Sequence, residues 1–108
     1  MTLAAGRKDR LIGFERNTPT TDGYGGEVDA WGDLGSAWAR VIFGTGEERR
    51  QAAREEGGQS ASFVVSDCAM TRGVTIADRI SFGSSHWDIK GISPLDGGEI
   101  EFTARRAL

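Results

Sequence analysis

The sequence predicts a mostly β domain, a barrel or a sandwich, on three observations. Apolar and polar residues alternate at period two in several short segments, most clearly in residues 99–105, as they do along a strand with one buried face. Clusters of glycine, aspartate and serine separate those segments, and 16 of the 108 residues are glycine, which favours turns over long helices. Only one stretch, residues 44–58, is rich in helix formers. Short strands at regular spacing with turn residues between them describe barrels and sandwiches.

Taken in order, residues 9–16 read as a strand, with Ile12 and Phe14 on one face and Arg10 and Arg16 at its ends. Residues 17–26 read as a loop in which Asp22-Gly23 and Gly25-Gly26 are turn formers. A short strand is expected at 27–31 and a stronger one at 34–43. In the latter, Trp38, Arg40 and Ile42 share one face, while Ala37, Ala39, Val41 and Phe43 share the other. Apolar groups on both faces describe a strand covered on both sides, the outer one by a partner. Residues 59–66 set Ala61, Phe63 and Val65 against Ser60, Ser62 and Val64. Residues 67–78 show no clear period, and Arg72-Gly73-Val74 reads as a turn. A short strand follows at 79–82, then a tight turn at Gly83-Ser84-Ser85. The next strand, 86–92, carries Trp87 and Ile89 on one face. Leu95-Asp96-Gly97-Gly98 is a hairpin turn. The last strand, 99–105, turns Ile100, Phe102 and Ala104 inward.

Residues 44–58 break the strand pattern. Thr45 and Glu48 have capping-box spacing, and Gly57 can end a helix. The only apolar residues inside are Ala52 and Ala53, so such a helix has no stripe to bury on its own core. A helix of about ten residues is also too short to persist alone in water. The segment therefore either moves freely or is ordered by something else.

Bulk properties narrow the function. The length allows one domain, residues 1–108. A net charge of −3 and a pI near 5.1 argue against general nucleic-acid binding, which calls for a basic surface. Cys68 is the only cysteine, so an intrachain disulfide and a cysteine zinc site are both excluded. It is expected as a small buried hydrophobe, and its nearest charges in sequence are Asp67, which would raise its pKa, and Arg72. Residues 1–6 are followed at once by Arg7, Lys8, Asp9 and Arg10, which does not describe a leader peptide. No run of eighteen apolar residues exists to cross a membrane. A cytosolic setting, or an assembly built there, is expected.

The chemistry-bearing residues do not combine into a site. Ser84, His86 and Asp88 alternate as if on one strand face. Residues two apart on a strand lie about 7 Å apart at Cα, however, and a catalytic triad converges from separate elements. Asp22, Glu27, Asp29 and Asp33 lack the spacing of a calcium loop. Gly44-Thr45-Gly46 lacks a third glycine and is followed by acids where a phosphate would sit. No catalytic, metal or cofactor site is expected, and no enzyme. Arg49, Arg50 and Arg54, with Trp31 and Trp38, permit an alternative reading as a small β-barrel nucleic-acid-binding module. Glu47, Glu48, Glu55 and Glu56 nearly cancel those arginines. Trp87 is expected in the core. Trp31 and Trp38 are the candidate interface anchors, because exposed tryptophan is common at protein interfaces.

The order of motifs carries a resemblance. Arg10-Leu11-Ile12-Gly13-Phe14-Glu15-Arg16 precedes Asp22-Gly23-Tyr24-Gly25-Gly26 and then Trp38-Ala39-Arg40-Val41. The polar stretch follows, then Arg72-Gly73-Val74-Thr75, Asp78-Arg79-Ile80 and His86-Trp87-Asp88-Ile89. Over nearly the whole chain this resembles the phage head–tail joining family, also called head-closure or stopper proteins, of tailed bacteriophages and gene-transfer particles. One departure is Arg105-Arg106, where family members often end in acids. The resemblance implies a small antiparallel β-barrel with a long polar, partly helical insertion loop. It implies a homo-oligomeric ring, six- or twelve-fold, at the head–tail junction of a virion assembled in the bacterial host cytoplasm. Portal or adaptor subunits would lie above the ring and tail subunits below. Packaged DNA would be retained without sequence-specific binding, and no membrane or cofactor is involved. The matching insertion would place Thr45, Glu47, Glu48, Arg49, Arg50 and Arg54 in an inter-subunit or channel loop. A ring needs two different patches on each subunit, and the two-sided strand at 34–43 offers one.

Overall fold

The computed structural model describes residues 7–44 and 58–107. Within them the strands are β1 (Arg10–Asn17), β2 (Thr20–Thr21), β3 (Glu27–Val28), β4 (Trp31–Phe43), β5 (Gly58–Ser66), β6 (Arg79–Phe82), β7 (Ser85–Leu95) and β8 (Glu99–Ala107). One short helix, α1 (Ala69–Arg72), lies between β5 and β6. Six strands close into an antiparallel barrel in the order β1-β4-β5-β8-β7-β6. Closure comes from β6 pairing back on β1, with Phe14 opposite Ile80. That pairing decides for a barrel over a sandwich and leaves the ring without a free edge. β2 and β3 form a separate two-stranded hairpin.

Period-two alternation fills the barrel. Ile12, Phe14, Phe63, Val65, Ile80, Trp87, Ile89, Ile100, Phe102 and Ala104 are all buried. Phe63 meets the Trp87 ring at 5.5 Å and the Phe82 ring at 5.8 Å, both edge-on, and Phe14 meets Phe102 at 5.2 Å. These are favourable aromatic geometries. The interior is thus packed with side chains, as in other small barrels, and is not a passage.

Strands 79–82 and 99–105 stand where they are expected, and Ile100, Phe102 and Ala104 turn inward. Four expectations need correction. Residues 17–26 are more than a loop, because Thr20 and Thr21 pair with Val28 and Glu27. The turn closes through the Asp22 carboxylate, which accepts the N–H groups of Tyr24 and Gly26 at 2.7 and 3.1 Å, while Gly23 and Gly25 take φ +88°. β4 begins at Trp31, three residues early, and runs through Gly32 and Gly35. At Gly35 (φ +144°) a bulge in the β1–β4 ladder leaves room for Met70, whose Cγ would lie 3.1 Å from an added Cβ. The segment read as irregular holds α1. The Thr71 hydroxyl accepts the Cys68 N–H at 2.9 Å and so caps its start. Cys68 is exposed rather than buried, since that cap position lies outside the barrel. Its thiol is held below its usual range, chiefly by the Thr71 side chain. The expected helical insertion, with Thr45, Glu47, Glu48, Arg49, Arg50 and Arg54, lies outside the described residues, between the ends of β4 and β5.

Candidate functional site

The residues that looked reactive do not converge, and several of them make local structural contacts. Ser84 lies in the β6–β7 turn. His86 is half exposed, with its Nε2 3.7 Å from Glu15 Oε1 on β1, across the intervening strand β6. Asp29 accepts a hydrogen bond from Asn17 Nδ2 at 3.1 Å, and Asp33 accepts the Gly35 N–H at 3.2 Å. Among the described residues, no three histidine, cysteine or acidic side chains gather as metal ligands would. No helix among them is long and apolar enough to cross a membrane.

Two charged contacts explain motifs that the sequence singled out. Arg16 clamps Asp78 with Nε at 2.9 Å and Nη2 at 3.0 Å, and its Nη2 also donates to the Gly73 carbonyl at 2.8 Å. Asp78 accepts the Thr75 N–H at 2.7 Å as well. Together these bonds pin the connection from α1 to β6 onto the end of β1. Burial pushes the Asp78 carboxyl upward, but the bonds from Arg16 and Thr75 outweigh it and hold the group below the usual carboxylate range. Arg106, where the chain departs from the family pattern, donates to Gln59 at 2.9 and 2.7 Å and to Ser85 at 3.0 Å. It braces β8 against its neighbours.

The tryptophans separate into three roles. Trp87 is core. Trp31 is half-buried, and the Arg79 guanidinium stacks 4.0 Å from its ring centroid while Arg79 Nε donates to Glu15 at 2.7 Å. Trp38 stays 58% exposed. It stands opposite Leu11 across the β1–β4 ladder and shares the outer face of β4 with Ile42. Leu11, Trp38 and Ile42 therefore form an apolar strip on the barrel exterior, while Phe43, on the other face of β4, lies 6.3 Å from the core Trp87 ring and is half exposed at the strand end. An apolar outer face on β4 was legible from the alternation, and no described residue covers it. Beside it runs a groove of about 460 Å³ lined by Arg7, Asp9, Arg10, Arg40 and Val41 together with Ile42 and Phe43.

One exposed aromatic escaped the sequence reading. Tyr24, read only as part of a turn, is 96% exposed at the tip of the β2–β3 hairpin. The signal available was an aromatic residue flanked by two glycines, a costly choice for a turn with no further role.

A filled antiparallel barrel with an exposed apolar strip on its outer wall is a scaffold that presents surfaces. The chain belongs to the phage head completion protein family, whose sequence profile matches residues 3–106. Among solved structures it is similar to a chain of the virion of the native gene transfer agent particle. The TM-score is 0.69 at 27% identity, over 94% of this chain and 96% of that one. It also shares its fold with protein SF1141 from Shigella flexneri 2a, with a TM-score of 0.68 at 19% identity over 96% of each chain. No curated protein sequence matches it.

Proposed function

We propose that the chain is a head–tail connector subunit of a phage-like particle, which forms a ring under the portal or adaptor, retains packaged DNA and docks the tail. The observation that carries this reading is the gene transfer agent virion chain, matched almost end to end. The packed interior supports it physically, since DNA cannot thread the barrel and any channel must lie between several copies. A net charge of −3 limits adhesion of the passing duplex. The polar insertion, with Thr45, Glu47, Glu48, Arg49, Arg50 and Arg54, would then line the channel or touch a neighbour. Trp38 would sit in a subunit interface. The virion junction is the place of action, and the chain carries out no catalysis there.

The test replaces residues 45–57 with a short Asn-Gly turn, which suits an antiparallel pair. β4 and β5 pair up to Phe43–Ala61, and Gly44 N–H bonds Ser60 O at 3.3 Å, so the barrel should fold and melt within a few degrees of the wild type. Particles carrying the shortened chain are expected to lose their DNA or lack tails. Normal infectious particles would overturn the reading. Tight oligonucleotide binding by the isolated chain that weakens steeply with salt would instead favour a nucleic-acid-binding module.

A further inference from the structure

We propose that the β2–β3 hairpin of one subunit docks on the Trp38–Ile42 strip and adjoining groove of a second copy. The proposal rests on the ring-subunit reading and assigns its two contact patches.

Placement comes first. β1 and β4 pair from Arg10–Ala39 to Asn17–Trp31. The groove flanks the end with Arg10 and Phe43, whereas the hairpin leaves from the end with Asn17 and Trp31. An eight-residue strand is about 25 Å long, so the two patches lie at opposite ends of the β1–β4 pair on one molecule. They can meet only between molecules, head to tail. That is the heterologous contact from which closed rings are built.

Charge agrees with this pairing. Residues 18–30 carry Asp22, Glu27 and Asp29 and no basic residue. The groove is lined by Arg7, Arg10 and Arg40 against Asp9 alone. Acidic hairpin and basic-rimmed groove are carried by the same chain, which is why a second copy is the occupant chosen. Such complementarity also steers association and fixes register.

The apolar parts match as well. The hairpin offers Tyr24 and the half-exposed Val28, and the strip offers Leu11, Trp38 and Ile42. Tyr24 is held out on a turn already closed by the Asp22 bonds and by two glycines at positive φ. A preorganised aromatic anchor loses little entropy on binding.

Sedimentation velocity on the purified full-length chain tests the docking. The wild type is expected to self-associate with rising concentration, less so in high salt. Tyr24→Ala and Ile42→Ser should each weaken association about 30-fold or more. Mixed together, the two variants should form a one-to-one pair, because one retains an intact groove and the other an intact hairpin. Glu27→Arg and Arg10→Glu should each weaken association, and the double variant should recover it. Thermal melting confirms that each variant is folded, and the charge swap gives a second route should Ile42→Ser fail to fold. A wild type that stays monomeric at millimolar concentration, or a mixture that forms no pair, overturns the docking. If association is lost but particles carrying the variants are complete, the ring-subunit reading falls while the docking stands. If the wild type does not self-associate yet Tyr24→Ala blocks completion, the docking on a second copy falls and the connector reading stands.

Discussion

Phe63→Ala is expected to destabilise the barrel by about 4 kcal/mol, the cost of a large cavity in a packed core. Phe63 is fully buried and wedged edge-on against Trp87 and Phe82. Its strand β5 is hydrogen-bonded on one side to β4 and on the other to β8. The walls around the missing ring are therefore held in register and cannot collapse to fill it. For a domain of this size the melting temperature should fall by roughly 20 °C. Since total stability is about 5–15 kcal/mol, the variant sits near the threshold of folding. Circular-dichroism melting measures the shift directly. A loss of only a few degrees would show that the barrel interior is loosely filled. Trp38→Ala provides the contrast: its side chain is largely exposed on the barrel exterior, so it should melt within a few degrees of the wild type while impairing assembly.

Asp78→Ala should cost about 3 kcal/mol at neutral pH. The buried carboxylate accepts both Arg16 bonds and the Thr75 N–H. Its removal leaves those donors unpaired, and the connection from α1 to β6 loses its tie to β1. The pH dependence has a definite sign. Asp78 is held below its usual range in the folded state, so the unfolded chain binds its proton first as pH falls. The contribution is fully present above the unfolded value of about 4 and is lost as pH drops through the folded value. Urea midpoints at pH 7, 4 and 3 should show the gap between wild type and Asp78→Ala narrowing on acidification. A gap that stays constant across that range would contradict the ion pair as its source.

Legibility followed interaction range. The 99–105 and 59–66 strands were readable because a buried face at period two is a local pattern, repeated every second residue. The exterior strip was readable for the same reason, since β4 alternates apolar residues on both faces. The β2–β3 hairpin was half visible: its glycines and Asp22 announced the turn, but two-residue strands are too short to show a period. α1 was missed because four residues cannot show a helical period either, and its start depends on the Thr71 side chain folding back on Cys68.

Strand faces, turns and the lack of an apolar stripe in residues 44–58 follow from neighbours a few positions apart and can be read from the residues alone. Tertiary structure alone decided that β6 closes on β1, that Arg79 occupies Trp31 while Trp38 stays open, and that Arg106 braces Gln59 and Ser85. It also decided that Cys68 lies outside. The physical reason is separation along the chain. Arg16 and Asp78 are 62 residues apart and Glu15 and Arg79 are 64 apart. No local period records which distant side chains a closing barrel will bring together.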